Sequence, residues 1–358
     1  MSVGSRVRAV AVAGVAGAAG LAGVTGLLLT GAPPAAADTP DSFTIEDERI
    51  TESSGLAASR AHKGVYWTHN DSDDGPYVYA VDGRTGKTVA TVTLRGIDPR
   101  DVEAVSVGPD GDVFVGDIGD NFNGRWPEVW IYRFHEPERL KGNISVTPTR
   151  YTVKYDDGPR DAESLMVHPK TGRVYLTSKS DEGKGGIYEG PGKLTAGGVN
   201  TFRRIADTKV YATDGAFSPD GTRLMLRSYF SGEIFRWKDG TEPESLGTVP
   251  VPLQRQGESV TFTPDGRTLM FGSEGANSEV EPVELEGQRR PESVIRAERS
   301  GEDGKGGGAS SGASSGAGGG DGEGTDRDGG KVVIGGVTFA VALGLWLGLR
   351  RLFRRGSR

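Results

Sequence analysis

The chain has 358 residues, 25% of them charged, with a formal net charge of −7 and no cysteine. Without cysteine it has neither disulfide staples nor thiolate metal ligands, so a packed core must hold the fold. The acidic balance argues against nucleic acid as a partner, because phosphate recognition needs basic surface.

Residues 1–37 read as a secretory signal peptide. Arg6 and Arg8 precede an Ala/Gly/Val/Leu run over 9–30, and Ala35, Ala36 and Ala37 form a small-residue cleavage site before Asp38. The alternative at this point is an uncleaved anchor. Residues 38–300 then form the predicted extracellular domain, and they repeat. "SGLAASRAHKGVYWTH" (54–69), "EAVSVGPDGDVFVGD" (103–117), "ESLMVHPKTGRVYLTS" (163–178), "TDGAFSPDGTRLMLRS" (213–228) and "ESVTFTPDGRTLMFGS" (258–273) align. The equivalent residues Ala58, Val107, Val167, Phe217 and Phe262 lie 49, 60, 50 and 45 residues apart.

Each copy reads as a hairpin. A short apolar alternation meets Pro-Asp-Gly or a relative, in which Pro presets the first turn angle and Gly takes positive φ. A third and a fourth strand follow in most copies, for example "YVYAVD" (77–82) and "TVATVTL" (88–94). No long helical periodicity runs between Thr39 and Glu298. Four-stranded repeats of this length predict an all-β fold, a β-propeller. Direct count gives five blades. A sixth is open if one hides in the 60-residue step or near 289–299. The segment "SFTIEDERI" (42–50) is placed to close the ring by joining the last blade.

Residues 301–330 are a Gly/Ser/Asp-rich linker that cannot bury apolar surface and is expected to be disordered. Residues 332–349, opening on Val332 and closing on Leu349, are an uncharged apolar run near the ~20 residues that span a bilayer. Arg350, Arg351, Arg354, Arg355 and Arg358 follow, which puts the tail (351–358) in the cytoplasm by the positive-inside rule. The expected arrangement is a single-pass type I protein of the cell membrane with its propeller outside.

"FSPDGTRLML" (217–226) and "FTPDGRTLMF" (262–271) resemble the repeats of WD40-like, TolB-type propellers. "ITESSGLAASRAHKGVYWTHND" (50–71) resembles the opening blade of exported bacterial propellers grouped with the SdiA-regulated and strictosidine-synthase-like families. The resemblance covers about residues 45–275. It implies that residues before each first strand and after each second strand meet around the upper mouth of a central channel.

That geometry gathers Glu52, Asp101, Glu103, Asp161, Glu163, Asp214 and Glu258 with His69, Asn70, Asp71, Asp117, Asp120, Asn121, Lys179, Arg227, Tyr229 and Glu274. Carboxylates so crowded raise one another's pKa values or demand a cation. With no cysteine, and with four histidines lacking metal spacing, the donors suit a hard cation, so the expected cofactor is either Ca²⁺ or none. The metal candidates are Glu103, Glu163, Glu258, Asp117, Asp120, Asn121 and Asp71. The ligand-binding candidates are His69, Asn70, Arg100, Arg160, Lys179, Arg227 and Tyr229. The competing structural reading has these acids capping strand ends, and Arg100–Asp101 and Arg160–Asp161 locking the loops between blades.

Two functions compete at this stage. One is a membrane-tethered propeller that binds a small ligand or an envelope partner through its acidic top face. The other is a Ca²⁺-assisted hydrolase of an ester, lactone or phosphoester. A structural envelope component is a weaker third.

Overall fold

The computed structural model describes residues 39–303, apart from 72–73, 122–123 and 180–182. After the two-residue strand β1 (Phe43–Thr44) the strands follow in antiparallel meanders. The first is β2 (Ser53–Ala58), β3 (Val65–Asn70), β4 (Tyr77–Asp82) and β5 (Thr88–Leu94). The second is β6 (Val102–Val107), β7 (Asp112–Asp117) and β8 (Val129–His135), then β10 (Thr149–Tyr155) after the intervening β9 (Gly142–Val146). The third is β11 (Ala162–Val167), β12 (Val174–Ser178), β13 (Gly185–Glu189) and β14 (Val199–Thr208). The fourth is β15 (Asp214–Phe217), β16 (Arg223–Arg227), β17 (Gly232–Arg236) and β18 (Glu244–Val249). The last is β19 (Gly257–Phe262), β20 (Thr268–Ser273) and β21 (Glu279–Glu284).

Local chemistry explains the hairpins. In the Pro-Asp-Gly turns that join β15 to β16 and β19 to β20, Gly221 and Gly266 hold φ of 76° and 74°, the left-handed conformation a side chain disfavours. The first strands of the meanders lie side by side in a cycle: β2 beside β6, β6 beside β11, β11 beside β15, β15 beside β19, and β19 beside β2. Each core layer sits between neighbouring meanders. Trp67 and Val78 of the first pack with Val115 and Phe134 of the second. Tyr175 of the third meets Phe217 and Trp237 of the fourth edge-on, with ring centroids 5.4 and 4.9 Å away. Phe43, Ile45 and Ile50 join Tyr66 of the first to Met270 of the last. This nearly all-β arrangement is consistent with a β-propeller.

The N-terminal segment closes the cycle where expected. Phe43 and Thr44 pair antiparallel with Val280 and Glu279, supplying the outer strand that the last meander lacks. The 60-residue step holds no further meander. Its surplus forms β9, which adds to the outer edge of the first meander by pairing parallel with β5. In the same way β14 pairs parallel with β10, linking the second and third sheets at their rims.

One element departs from the reading of the sequence. A 3₁₀ turn at Gly287–Arg289 leads into helix α1 (Glu292–Asp303), so the chain stays ordered past residue 300. The helix is short and largely polar but amphipathic, burying Val294, and polar contacts add to its hold. Asp220 and Thr222, from the β15–β16 hairpin, accept hydrogen bonds from the amides of Ser293 (2.9 Å) and Glu292 (3.0 Å). Glu298 pairs with Arg267 (2.6 Å) and Arg290 (2.8 Å). Among the described residues no helix is long and apolar enough to cross a membrane. The predicted signal peptide (1–37), the linker beyond 303, the span at 332–349 and the tail at 351–358 lie outside the described residues.

Candidate functional site

The inner strands aim their mouth residues with a shared irregularity. Pairing with the second strand slips between Ser53 and Gly55, between Val102 and Ala104, between Ala162 and Ser164, and between Gly257 and Ser259. The residue left over in each bulge is Ser54, Glu103, Glu163 or Glu258. A bulge frees its extra residue from the ladder and redirects the side chain. Four meanders therefore present one residue from the same structural position, and three of the four are glutamates. The fourth meander starts without a slip, Asp214 pairing with Arg227.

Around these bulges the carboxylates converge. Asp71, Asp101 and Glu103 each offer an oxygen within 4.8 Å of the others. Glu103 is 4% exposed. Gly119 backs the group: a Cβ there would lie 2.5 Å from Glu103 Oε1 and 2.7 Å from Asp101 Oδ2. Asn121 donates to Asp101 Oδ2 at 2.9 Å. Further round, Lys179 Nζ donates to Glu163 Oε1 (2.5 Å) and to the Tyr229 hydroxyl (3.2 Å), with the Tyr211 ring 5.1 Å away. Gln256 bridges Glu258 (3.2 Å) and Glu274, and Ser54 Oγ donates to Glu274 Oε1 (3.1 Å).

Burial dominates the electrostatics. It pushes Asp101 up to about 8, helped by the Asp71 and Asp161 carboxylates and opposed by Asn121. Burial and the charges of Asp71, Glu163 and Asp101 hold Glu103 well above the usual carboxylate range. Glu163 and Glu258 are also pushed up by burial, and the Lys179 ammonium opposes this at both. Burial works against the ammonium in turn, but Glu163, Tyr229 and Glu258 outweigh it and keep Lys179 charged. Carboxylates crowded together and largely buried favour protons or a cation.

The other predicted residues lie in local structure. Asp117 accepts the amides of Arg100 (3.2 Å) and Asp101 (2.9 Å) and the Tyr132 hydroxyl (2.9 Å). Asp120 accepts the Trp126 amide (2.5 Å) and donates its own amide to Asp161 (2.8 Å). Asn70 takes the amides of Thr51 and Glu52, both at 3.0 Å, and donates to Arg49 O and Asp74. His69 turns Nδ1 to the Asn70 carbonyl (2.9 Å), and burial lowers its pKa, leaving a neutral ring. Arg227 is fully buried, donating to Ser259 O (2.6 Å), Gly272 O (2.7 Å) and Gln254 (2.7 Å), which ties the fourth meander to the last.

The two Arg-Asp pairs do not close on themselves. Arg100 stacks on Trp130 and Trp126, 3.7 and 4.5 Å from the ring centroids, and Arg160 pairs with Asp157 at 2.9 Å. Successive residues of an extended chain point to opposite sides, so each Asp faces the mouth while its Arg turns outward. Asp101, absent from the predicted metal ligands, is the residue this alternation adds. Its signal in the sequence is the i, i+2 spacing to Glu103. Below the mouth, a cavity of about 130 Å³ is lined by all five inner strands, including Leu56, Val105, Val167, Ala216 and Phe262.

No family model matches the chain, and no curated protein matches it. Among solved structures it is similar to a chain of the mitotic checkpoint complex, at 12% identity and a TM-score of 0.37, over 65% of this chain and 63% of that one. The match therefore spans less than two thirds of that relative. It is also similar to the PQQ-bound aldose sugar dehydrogenase of Streptomyces coelicolor, at 11% identity and a TM-score of 0.40, over 71% of this chain and 100% of that one. Likenesses this distant transfer neither activity nor partner.

Proposed function

We propose that the chain is a five-bladed propeller whose mouth binds one divalent cation through Asp71, Asp101 and Glu103. The cation in turn holds a small ligand or an envelope partner at the top face. The observation that carries this reading is the trio of carboxylate oxygens within 4.8 Å, one of them on a buried glutamate freed from the ladder by a bulge. An all-oxygen, irregular donor set suits Ca²⁺, which accepts six to eight oxygens at flexible angles. In this reading the signal at 1–37 and the span at 332–349 tether the propeller outside the cell membrane.

Ca²⁺-assisted hydrolysis is the alternative: it needs a base near the cation, a part that Glu163 or Glu258 would have to fill, since His69 turns Nδ1 to a backbone carbonyl. The test is the melting temperature of the full chain in EDTA and in excess Ca²⁺. A cation at a hundred times its Kd stabilises the folded state by about 2.7 kcal/mol, expected as a rise of roughly 5–10 °C at 2–4 °C per kcal/mol. Glu103→Gln is expected to abolish most of that rise. Wild-type melting that ignores Ca²⁺ up to millimolar levels would refute the site.

A further inference from the structure

The mouth already contains one cation, and it belongs to the chain. Lys179 extends from the end of β12 in the third meander to lie against Tyr211, in the connection to the fourth, and Tyr229 of the fourth, within the field of Glu258 of the last. Its ammonium has a carboxylate oxygen at 2.5 Å, a phenol oxygen at 3.2 Å and ring faces at 5.1 and 5.4 Å. Glu163 and Glu258 occupy equivalent bulge positions, as does Glu103 in the cation group proposed above. Glu163 thus stands in the same bulge position as Glu103 with an ammonium bound to it, and Glu258 acts on that ammonium through its field.

We infer that Lys179 occupies a second cation position of the mouth as a tethered counter-ion, limiting the site to a single divalent cation. The inference rests on the cation reading for Asp71, Asp101 and Glu103. Removing the ammonium leaves two buried carboxylates, Glu163 and Glu258, that act on one another's charge, and the Tyr229 oxygen, without it. Two buried carboxylates in that position repel unless they are protonated or bridged, and a hard divalent ion accepts such oxygens at 2.3–2.6 Å. The charged stem of Lys179 cannot be exchanged with solvent. It therefore sets both the number of ions the mouth takes and the position beside which any anionic ligand must settle.

The experiment is equilibrium dialysis of the full chain against Ca²⁺ at neutral pH, comparing wild type with Lys179→Met. The expected result is a twofold rise in bound Ca²⁺ at saturation, from one ion to two per chain. Lys179→Arg retains one, and Lys179→Met combined with Glu163→Gln returns to one. One ion in both wild type and Lys179→Met overturns the inference and leaves the first site standing. No ion in wild type but one in Lys179→Met overturns the first site and supports the counter-ion role. No ion in either overturns both. If Lys179→Met folds only with Ca²⁺ present, the ion is replacing the ammonium, as expected. If it stays unfolded in millimolar Ca²⁺, no ion replaces it and the inference falls.

Discussion

Glu136→Ala is expected to destabilise the folded chain by about 3–5 kcal/mol, the cost of stranding several buried donors around one lost carboxylate. Glu136 follows β8 and is 3% exposed. Its carboxylate accepts the Ser59 hydroxyl (2.5 Å), the amides of Arg60 (3.2 Å) and Ala61 (2.9 Å), and the Trp67 indole N–H (2.7 Å). All four donors belong to the first meander, so one side chain of the second anchors the β2–β3 turn of its neighbour. The expected loss is read as a lower denaturation midpoint in guanidinium chloride. Glu138→Ala, on the exposed surface two residues away, is the control and should change stability by less than about 0.5 kcal/mol. Glu136 lies at the end of the channel remote from Asp101 and Glu103, so Ca²⁺ affinity of the folded variant should match wild type. A loss below about 1 kcal/mol would mean that water satisfies these donors and that the clamp contributes little.

In EDTA, stability should fall as pH rises from about 5.5 to 8.5. Asp101, held near 8, and Glu103, held well above the usual range, keep protons in the folded chain that an unfolded carboxyl releases near pH 4. Where the folded state binds more protons, stability decreases with pH, by about 1.4 kcal/mol per unit for each proton fully retained. The two sites together amount to several kcal/mol and should lower the melting temperature by more than about ten degrees across this window. Saturating Ca²⁺ takes the place of the protons, so the decline should flatten and the Ca²⁺-induced rise should be larger at pH 8 than at pH 5.5. Depressed carboxyls act elsewhere on the pH scale. Asp47, held at about 2 by Arg49, supports the fold above pH 4 and loses that support only as pH falls toward 2. Asp220 behaves alike: burial would raise it, but its hydrogen-bond donors outweigh burial and hold it at about 2. Stability that stays flat or rises between pH 5.5 and 8.5 in EDTA would contradict the protonated mouth.

Much of the architecture is legible because it rests on local chemistry repeated along the chain. Pro-Asp-Gly turns between alternating apolar runs mark each hairpin, and the residues around Phe43 stand ahead of the first repeat with nothing nearby to pair with except a distant edge. Elements held by tertiary contacts are not legible in this way. β9 is a polar, mostly exposed segment that becomes a strand because β5 offers it an edge. Helix α1 depends on Asp220, more than 70 residues earlier in the chain. The same division runs through the site. The recurring Asp-x-Glu at the start of β6 and β11 locates the acidic mouth. Bulges decide which carboxylates face it, and pairing register is invisible in one strand alone. The outward turn of Arg100 and Arg160 likewise depends on Trp130, Trp126 and Asp157, whose positions only the assembled sheets define.

The most direct test of a cation in the mouth is anomalous X-ray diffraction from crystals of the protein soaked in Mn²⁺, a scattering substitute for Ca²⁺. The expected result is an anomalous peak within roughly 2.0–2.6 Å of carboxylate oxygens from Asp71, Asp101 and Glu103, absent in Glu103→Gln crystals. A clean map with no peak among these three residues, or a peak that persists unchanged in Glu103→Gln, would contradict it.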